Sequence, residues 1–188
     1  GELKKSLAEA AEALSDVNPS MIVFHCTANS MEDGLGHEAA IVDTIEKASG
    51  CPTITTAQAI TQAFDRVGIK KLVLVSPYVK ETNAHEVKYL GEAGYKVLHE
   101  LGLALESHAY SSVTPEEWKK VVKENTRADA DGYFLSCTNT RMIEAIDDLE
   151  KDLGKPVVNS NQATIWACLK RLGIHHSGNK LGRLFRDN

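Results

Sequence analysis

Apolar positions along this chain fall into short uninterrupted runs that alternate with longer stretches of helical spacing. Leu3, Leu7, Ala11 and Leu14 recur near the helical period, so residues 2–14 read as an amphipathic helix ending before the turn Asn18-Pro19-Ser20. Residues 21–25, 53–55, 71–75, 132–135 and 156–158 read as short buried strands, and a further strand starts at Tyr95 within 95–103. Helical patterns occupy 34–48, 57–67, 83–93, 141–153 and 162–172, with Gly50 and Gly94 placed as stops. Thr114-Pro115-Glu116-Glu117 opens another helix, with a Thr cap, proline at the first helical position and acid in the first turn. Strands alternating with helices of about ten residues predict an α/β fold with parallel sheets covered by helices. The chain opens on a helix where such a lobe usually opens on a strand, so an N-terminal strand is expected to be missing from the sequence.

The pattern also repeats. Met21-Ile22-Val23-Phe24 runs into His25-Cys26-Thr27-Ala28-Asn29, and Gly132-Tyr133-Phe134-Leu135 runs into Ser136-Cys137-Thr138-Asn139-Thr140. After each comes a helix and a second echo: GCPTITTAQA from Gly50 and GKPVVNSNQA from Gly154. Cys26 and Cys137 lie 111 positions apart, Gln58 and Gln162 lie 104 apart, and Gly68 and Gly173 lie 105 apart, so one register holds apart from a small indel. The expected architecture is two similar Rossmann-like lobes related by a pseudo-twofold, with a site in the cleft between them. Residues 1–76 plus 160–188 would form the first lobe and 77–159 the second.

Composition narrows the function classes. With 188 residues, 43% hydrophobic, there is ample core for one domain or two small lobes. A net charge of −5 argues against a nucleic-acid partner. Apolar runs such as 71–75 are far shorter than the ~20 residues a membrane helix needs. Four cysteines in an α/β pattern without a secretory signal suggest reduced thiols in the cytoplasm. No CxxC or HxxxH pair gives metal-ligand spacing, and His175-His176 reads as solvated surface, so no metal is expected.

The matched cysteines carry the chemistry. Each ends an apolar strand and precedes a small polar run entering a helix, and ligands in open α/β sheets bind beyond the carboxyl ends of strands. A helix start there favours an anion and would lower a thiol pKa. Cys26 and Cys137 are therefore the candidate catalytic pair. Cys51 and Cys168 lack the symmetry and read as packing residues. Thr27, Ala28, Thr138 and Asn139 offer hydroxyls, amides and backbone N–H groups suited to a carboxylate. Tyr78, just past the strand 71–75, is a candidate anion donor, and Asn83 would cap the next helix or reach the same site. The bland alternative is turn and cap chemistry, common for Asn and Thr at such junctions.

The stretches HCTAN, GCPTITTAQA, KKLVLVSPYVKETN, DGYFLSCTNT, LGKPVVNSNQA and GRLF, in that order, resemble the aspartate/glutamate racemase superfamily, and within it the maleate isomerase and arylmalonate decarboxylase branch. The resemblance implies two α/β lobes, no cofactor and a small carboxylate substrate. It implies that Cys26 adds to a carbon–carbon double bond while Cys137 handles the proton on the other side, and that Thr27, Tyr78 and Thr138 bind a carboxylate. Cysteine at both positions favours an isomerase or racemase over a decarboxylase, and the first reading is a cofactor-independent isomerase of a small dicarboxylate, typified by maleate. An amino-acid or hydantoin-type racemase, an arylmalonate-type decarboxylase and a non-catalytic carboxylate-binding homologue are the alternatives. A homodimer is compatible with the apolar helix faces.

Overall fold

The computed structural model describes residues 2–176 and 180–186. Its strands form two sheets, every pairing parallel. Ile22–Phe24 (β1) pairs with Thr53–Thr55 (β2) in a two-stranded sheet. Lys71–Ser76 (β3), Lys96–Gly102 (β4), Gly132–Leu135 (β5) and Val157–Asn159 (β6) form the other, in the order β4-β3-β5-β6. Leu72, Val73, Leu74 and Val75 are all buried. A strand apolar on both faces needs cover on both faces and neighbours on both edges, which is the environment of a central parallel strand. Residues 71–76, which the sequence pattern groups with β1 and β2, are hydrogen-bonded to β4 and β5 in the four-stranded sheet.

Around the sheets lie Glu2–Ser15 (α1), Thr27–Met31 (α2), Leu35–Ser49 (α3), Thr56–Val67 (α4), Lys80–Glu92 (α5), Pro115–Glu124 (α6), Ile146–Leu153 (α7), Ser160–Arg171 (α8) and Gly182–Arg186 (α9). The Thr114 start is a full capping box, its hydroxyl accepting from the Glu117 N–H while the Glu117 carboxylate returns to the Thr114 N–H. The sequence pattern predicts one helix over 141–153, but Met142–Ala145 is a 3-10 turn and the α-helix begins at Ile146. The short α2 and α9 carried too little periodicity to be read.

The repeat is visible at the helix ends. Gly50 and Gly154 close α3 and α7 in the left-handed conformation, φ 70° and 65°, where a side chain would be strained. One turn earlier, Glu46 and Glu150 each accept a hydrogen bond from the N–H of an approaching strand residue, Thr53 and Val157, at 2.9 and 3.0 Å. The same joint thus guides the chain into β2 and into β6. Glu150 also accepts from the Arg183 N–H and the Arg186 guanidinium, which fastens α9.

The two sheets share one core. Ile60, Ala63 and Phe64 of α4 pack with Ala163, Trp166 and Ala167 of α8 and with Leu72, Leu74 and Phe134 from one face of the larger sheet. Phe64 meets Tyr95 and Phe134 edge-on, at ring-centroid distances of 5.2 and 5.4 Å. Val73, Val75, Tyr133 and Leu135 line the other face and pack under α6 and α7, with Trp118 fully buried. A smaller cluster of Ala11, Ile22, Ile41 and Ile45 joins α1 and α3 to β1. These contacts hold the carboxyl ends of β1, β2, β3, β5 and β6 together.

Candidate active site

Cys26 lies two residues beyond β1, Tyr78 two beyond β3 and Cys137 two beyond β5. Ser160, the first residue of α8 after β6, ties the two repeated motifs together. Its hydroxyl oxygen accepts from the Thr27 hydroxyl at 2.9 Å and from the Cys137 backbone N–H at 3.2 Å. Asn161 makes a second tie, its Nδ2 donating to the Thr138 carbonyl at 3.1 Å and its Oδ1 lying 2.9 Å from His25 Nε2. The other His25 nitrogen sits 3.1 Å from the Thr56 hydroxyl. Residues after β1 are thereby fastened to residues after β2, β5 and β6.

The two thiols occupy different environments. Cys26 is half-buried and serves as the N-terminal boundary of α2, with no side chain capping that helix. Cys137 is buried, 3% exposed, with φ at 121°. This backbone region is rarely occupied by residues other than glycine and persists only where the surroundings enforce it, as they commonly do in active sites. Here the Ser160 contact holds Cys137 in place, and its sulfur accepts from the Asn139 N–H at 3.3 Å. A helix start was expected to lower the thiol pKa. Burial instead pushes the Cys137 thiol up, and the Tyr78 hydroxyl and the Asn139 N–H offset only part of that.

Tyr78 is 6% exposed and stands edge-on to Tyr110, 5.6 Å between ring centroids. Burial first, then the nearby Glu86 and Cys137, drives its phenol far above the ordinary range, so it is a hydrogen-bond donor at any physiological pH. Thr27 is buried with its hydroxyl hydrogen directed to Ser160, whereas Asn139 is exposed. Ala28 lines a small open recess of about 160 Å³ with Asn29, Glu32, Glu81, Thr82 and His85.

Asn83 is placed differently from either expectation. The residue bounding α5 at its start is Val79, and Asn83 lies inside the helix, fully buried. Its Oδ1 accepts from the Ser76 hydroxyl at 2.6 Å and its Nδ2 donates to Glu100. The Ser76 oxygen in turn accepts from the Tyr78 N–H at 3.1 Å. Asn83 therefore shapes the loop that carries Tyr78.

Three residues near the thiols went unread in the sequence: Ser160, Asn161 and Glu86. Ser160 and Asn161 sit inside the quoted echo at the end of a strand, which was the available signal. Glu86 had none, being one acidic residue in a helical pattern. A recess of about 370 Å³ lined by Arg66, Trp166, Lys170, His176 and Phe185, among others, contains no candidate site residue. Among the described residues, no group of three His, Cys, Asp or Glu side chains could hold a metal ion.

Comparison with known proteins places the chain in a family. The profile of the arylmalonate decarboxylase family matches residues 2–185. The chain belongs to that family. It is similar to the maleate isomerase of Geobacillus stearothermophilus, 27% identical over 183 residues, covering 92% of this chain and 73% of the relative. Among solved structures, a doubly substituted arylmalonate decarboxylase in the liganded form superimposes with a TM-score of 0.93 at 23% identity, covering 98% of this chain and 80% of that one. A maleate cis-trans isomerase variant of Nocardia farcinica, with a covalently bound succinylcysteine intermediate, matches with a TM-score of 0.90 at 17% identity, covering 96% and 77%. These structural likenesses establish the fold.

Proposed function

We propose that this protein is a cofactor-independent isomerase of a small dicarboxylate, with maleate as its type substrate, and that Cys26 and Cys137 carry the reaction. The observation behind the proposal is that Ser160 fastens the Cys26–Thr27 and Cys137–Thr138 motifs together from two different sheets. The maleate isomerase relatives and the cysteine adduct in one of them support the substrate class.

In this mechanism the Cys26 thiolate adds to one alkene carbon, and the π electron pair moves to the other carbon, where the adjoining carboxylate accepts charge. Cys137 supplies a proton there, leaving a succinyl thioether. The former double bond is now single and rotates. The Cys137 thiolate then takes the proton back, the π bond re-forms, the carbon–sulfur bond breaks, and fumarate leaves with the Cys26 thiolate restored. The more exposed Cys26 suits addition. Burial keeps Cys137 protonated, which suits the acid. Thr27, Ala28, Thr138, Asn139 and Tyr78 would bind the carboxylates, and Asn83 would act through the Tyr78 loop.

The reading includes a cleft between two lobes, one on β1 and β2 and one on the four-stranded sheet, with α8 and α9 returning to the first. It also includes a cytoplasmic setting, supported by four unpaired cysteines, and a homodimer, to be checked by light scattering. No helix among the described residues is long and apolar enough to cross a membrane. A decarboxylase is the second reading, for which the family match speaks, and carbon dioxide release from an aryl malonate separates it from the isomerase.

The test is proton NMR of the protein with maleate in deuterated buffer, beside Cys26→Ser. Fumarate growing only with the unsubstituted protein supports the reading. No conversion by either removes maleate as substrate.

A further inference from the structure

Glu86 is a buried acid that the two-thiol mechanism leaves unused. It lies on α5 with no exposed surface. Its Oε1 accepts from the hydroxyl of Ser136, the residue before Cys137, at 2.7 Å. Its Oε2 is buried and meets no hydrogen-bond partner among the described residues. No described lysine or arginine pairs with it either. An isolated carboxylate in such a place is costly and takes up a proton instead.

The surroundings give this proton a consequence. Ser136, which holds Glu86, is the residue before Cys137, and Tyr78, after β3, and Cys137, after β5, are close enough for the charge on Glu86 to act on both. Cys26, after β1, acts on the same pair. Elsewhere around α5, Glu100 of β4 is held by Asn83, and Glu32 of α2 lines the open recess with Glu81 and His85.

We propose that Glu86 is a positioning residue that governs the charge on Cys137: while neutral it lets the thiol give up and regain its proton, and once ionised it holds the proton on sulfur. The physical cause is like-charge repulsion in a poorly screened interior, where a carboxylate and a thiolate cannot both be accommodated cheaply. Burial raises the Glu86 carboxyl from 4.5 to about 8, so the change falls within reach of ordinary pH. The proposal rests on the reading of Cys137 as the acid and base, and its consequence is an activity that falls as Glu86 ionises.

The experiment is alkylation of Cys137 by iodoacetamide, followed by peptide mass spectrometry from about pH 6 to pH 10, for the unsubstituted protein and E86Q. Glutamine keeps an oxygen for Ser136 and cannot ionise. Equal rates near pH 6, with Cys137 of E86Q reacting several-fold faster near pH 9, support the proposal. Coincident profiles across the range overturn it, and are what a purely structural Glu86 would produce. If E86Q does not fold, ¹³C NMR of the Glu86 carboxyl in the unsubstituted protein decides. A midpoint near 8, matched by a bend in the Cys137 alkylation profile, supports the proposal, and a midpoint in the usual carboxylate range overturns it. Neither readout uses maleate, so failure of the substrate assignment is distinguishable from failure of this inference.

Discussion

Ser160→Ala removes the one oxygen that accepts from both repeated motifs. Thr27, Cys137 and Ser160 are 1%, 3% and 0% exposed, so water is a poor substitute for the lost acceptor. The two orphaned donors differ. The Cys137 N–H is fixed in the backbone, and a buried unpaired donor costs about 1–3 kcal/mol. The Thr27 hydroxyl can rotate, so its loss is closer to that of one ordinary hydrogen bond, about 0.5–1.5 kcal/mol. Together the substitution is expected to cost about 2–4 kcal/mol. At roughly 2–4 °C per kcal/mol for a chain of this size, Tm should fall by about 5–15 °C. Urea unfolding of Ser160→Ala, Thr27→Val and the double variant measures the coupling. With Thr27 already replaced, removing Ser160 should cost about 1 kcal/mol less, because one of its two donors is gone. A single-variant loss under about 0.5 kcal/mol, or strictly additive costs, would refute the argument that this hydroxyl joins the two motifs.

Three further outcomes are expected. Glycine ordinarily destabilises relative to alanine by about 0.5–1 kcal/mol, but at position 137 relief of about 1–3 kcal/mol of backbone strain offsets this; C137G should unfold at no lower urea than C137A, and an ordinary glycine deficit would contradict the strain argument. Because the Glu86 carboxyl is raised from 4.5 to about 8, the folded state binds the extra proton between those values; the associated stability is fully present below about pH 4.5 and is lost as pH rises toward 8, on the order of 3–6 kcal/mol at 1.36 kcal/mol per unit. Urea unfolding near pH 5.5 and pH 8 should therefore show a smaller decline for E86Q, and equal declines would count against a neutral buried acid. The Tyr78 hydroxyl lowers the Cys137 thiol pKa, so with Tyr78→Phe, Cys137 should alkylate several-fold more slowly near pH 8, and an unchanged rate would deny that influence.

Much of this protein was legible in its linear pattern because short parallel strands and their covering helices are written locally. The apolar run at 71–75, the cap at Thr114 and the glycine stop at Gly50 each mark an element by nearby residues alone. The repeat located both thiols, since it places Cys26 and Cys137 at corresponding strand ends without knowledge of the fold. Which sheet β3 joins was not local information, because β3 pairs with β4 on one edge and with β5, some 60 positions along the chain, on the other. Long-range packing likewise set the difference between the thiols: burial raises Cys137 against the expected effect of a helix start, and a positive φ is visible only in three dimensions. Ser160, Asn161 and Glu86 matter through partners 133, 136 and 50 positions away, and a residue whose role lies in a distant hydrogen bond leaves no periodic trace. The order of elements and the positions of the two matched thiols thus belong to the sequence. The distinct environments of those thiols come from tertiary structure, because desolvation and charge depend on what the fold brings alongside.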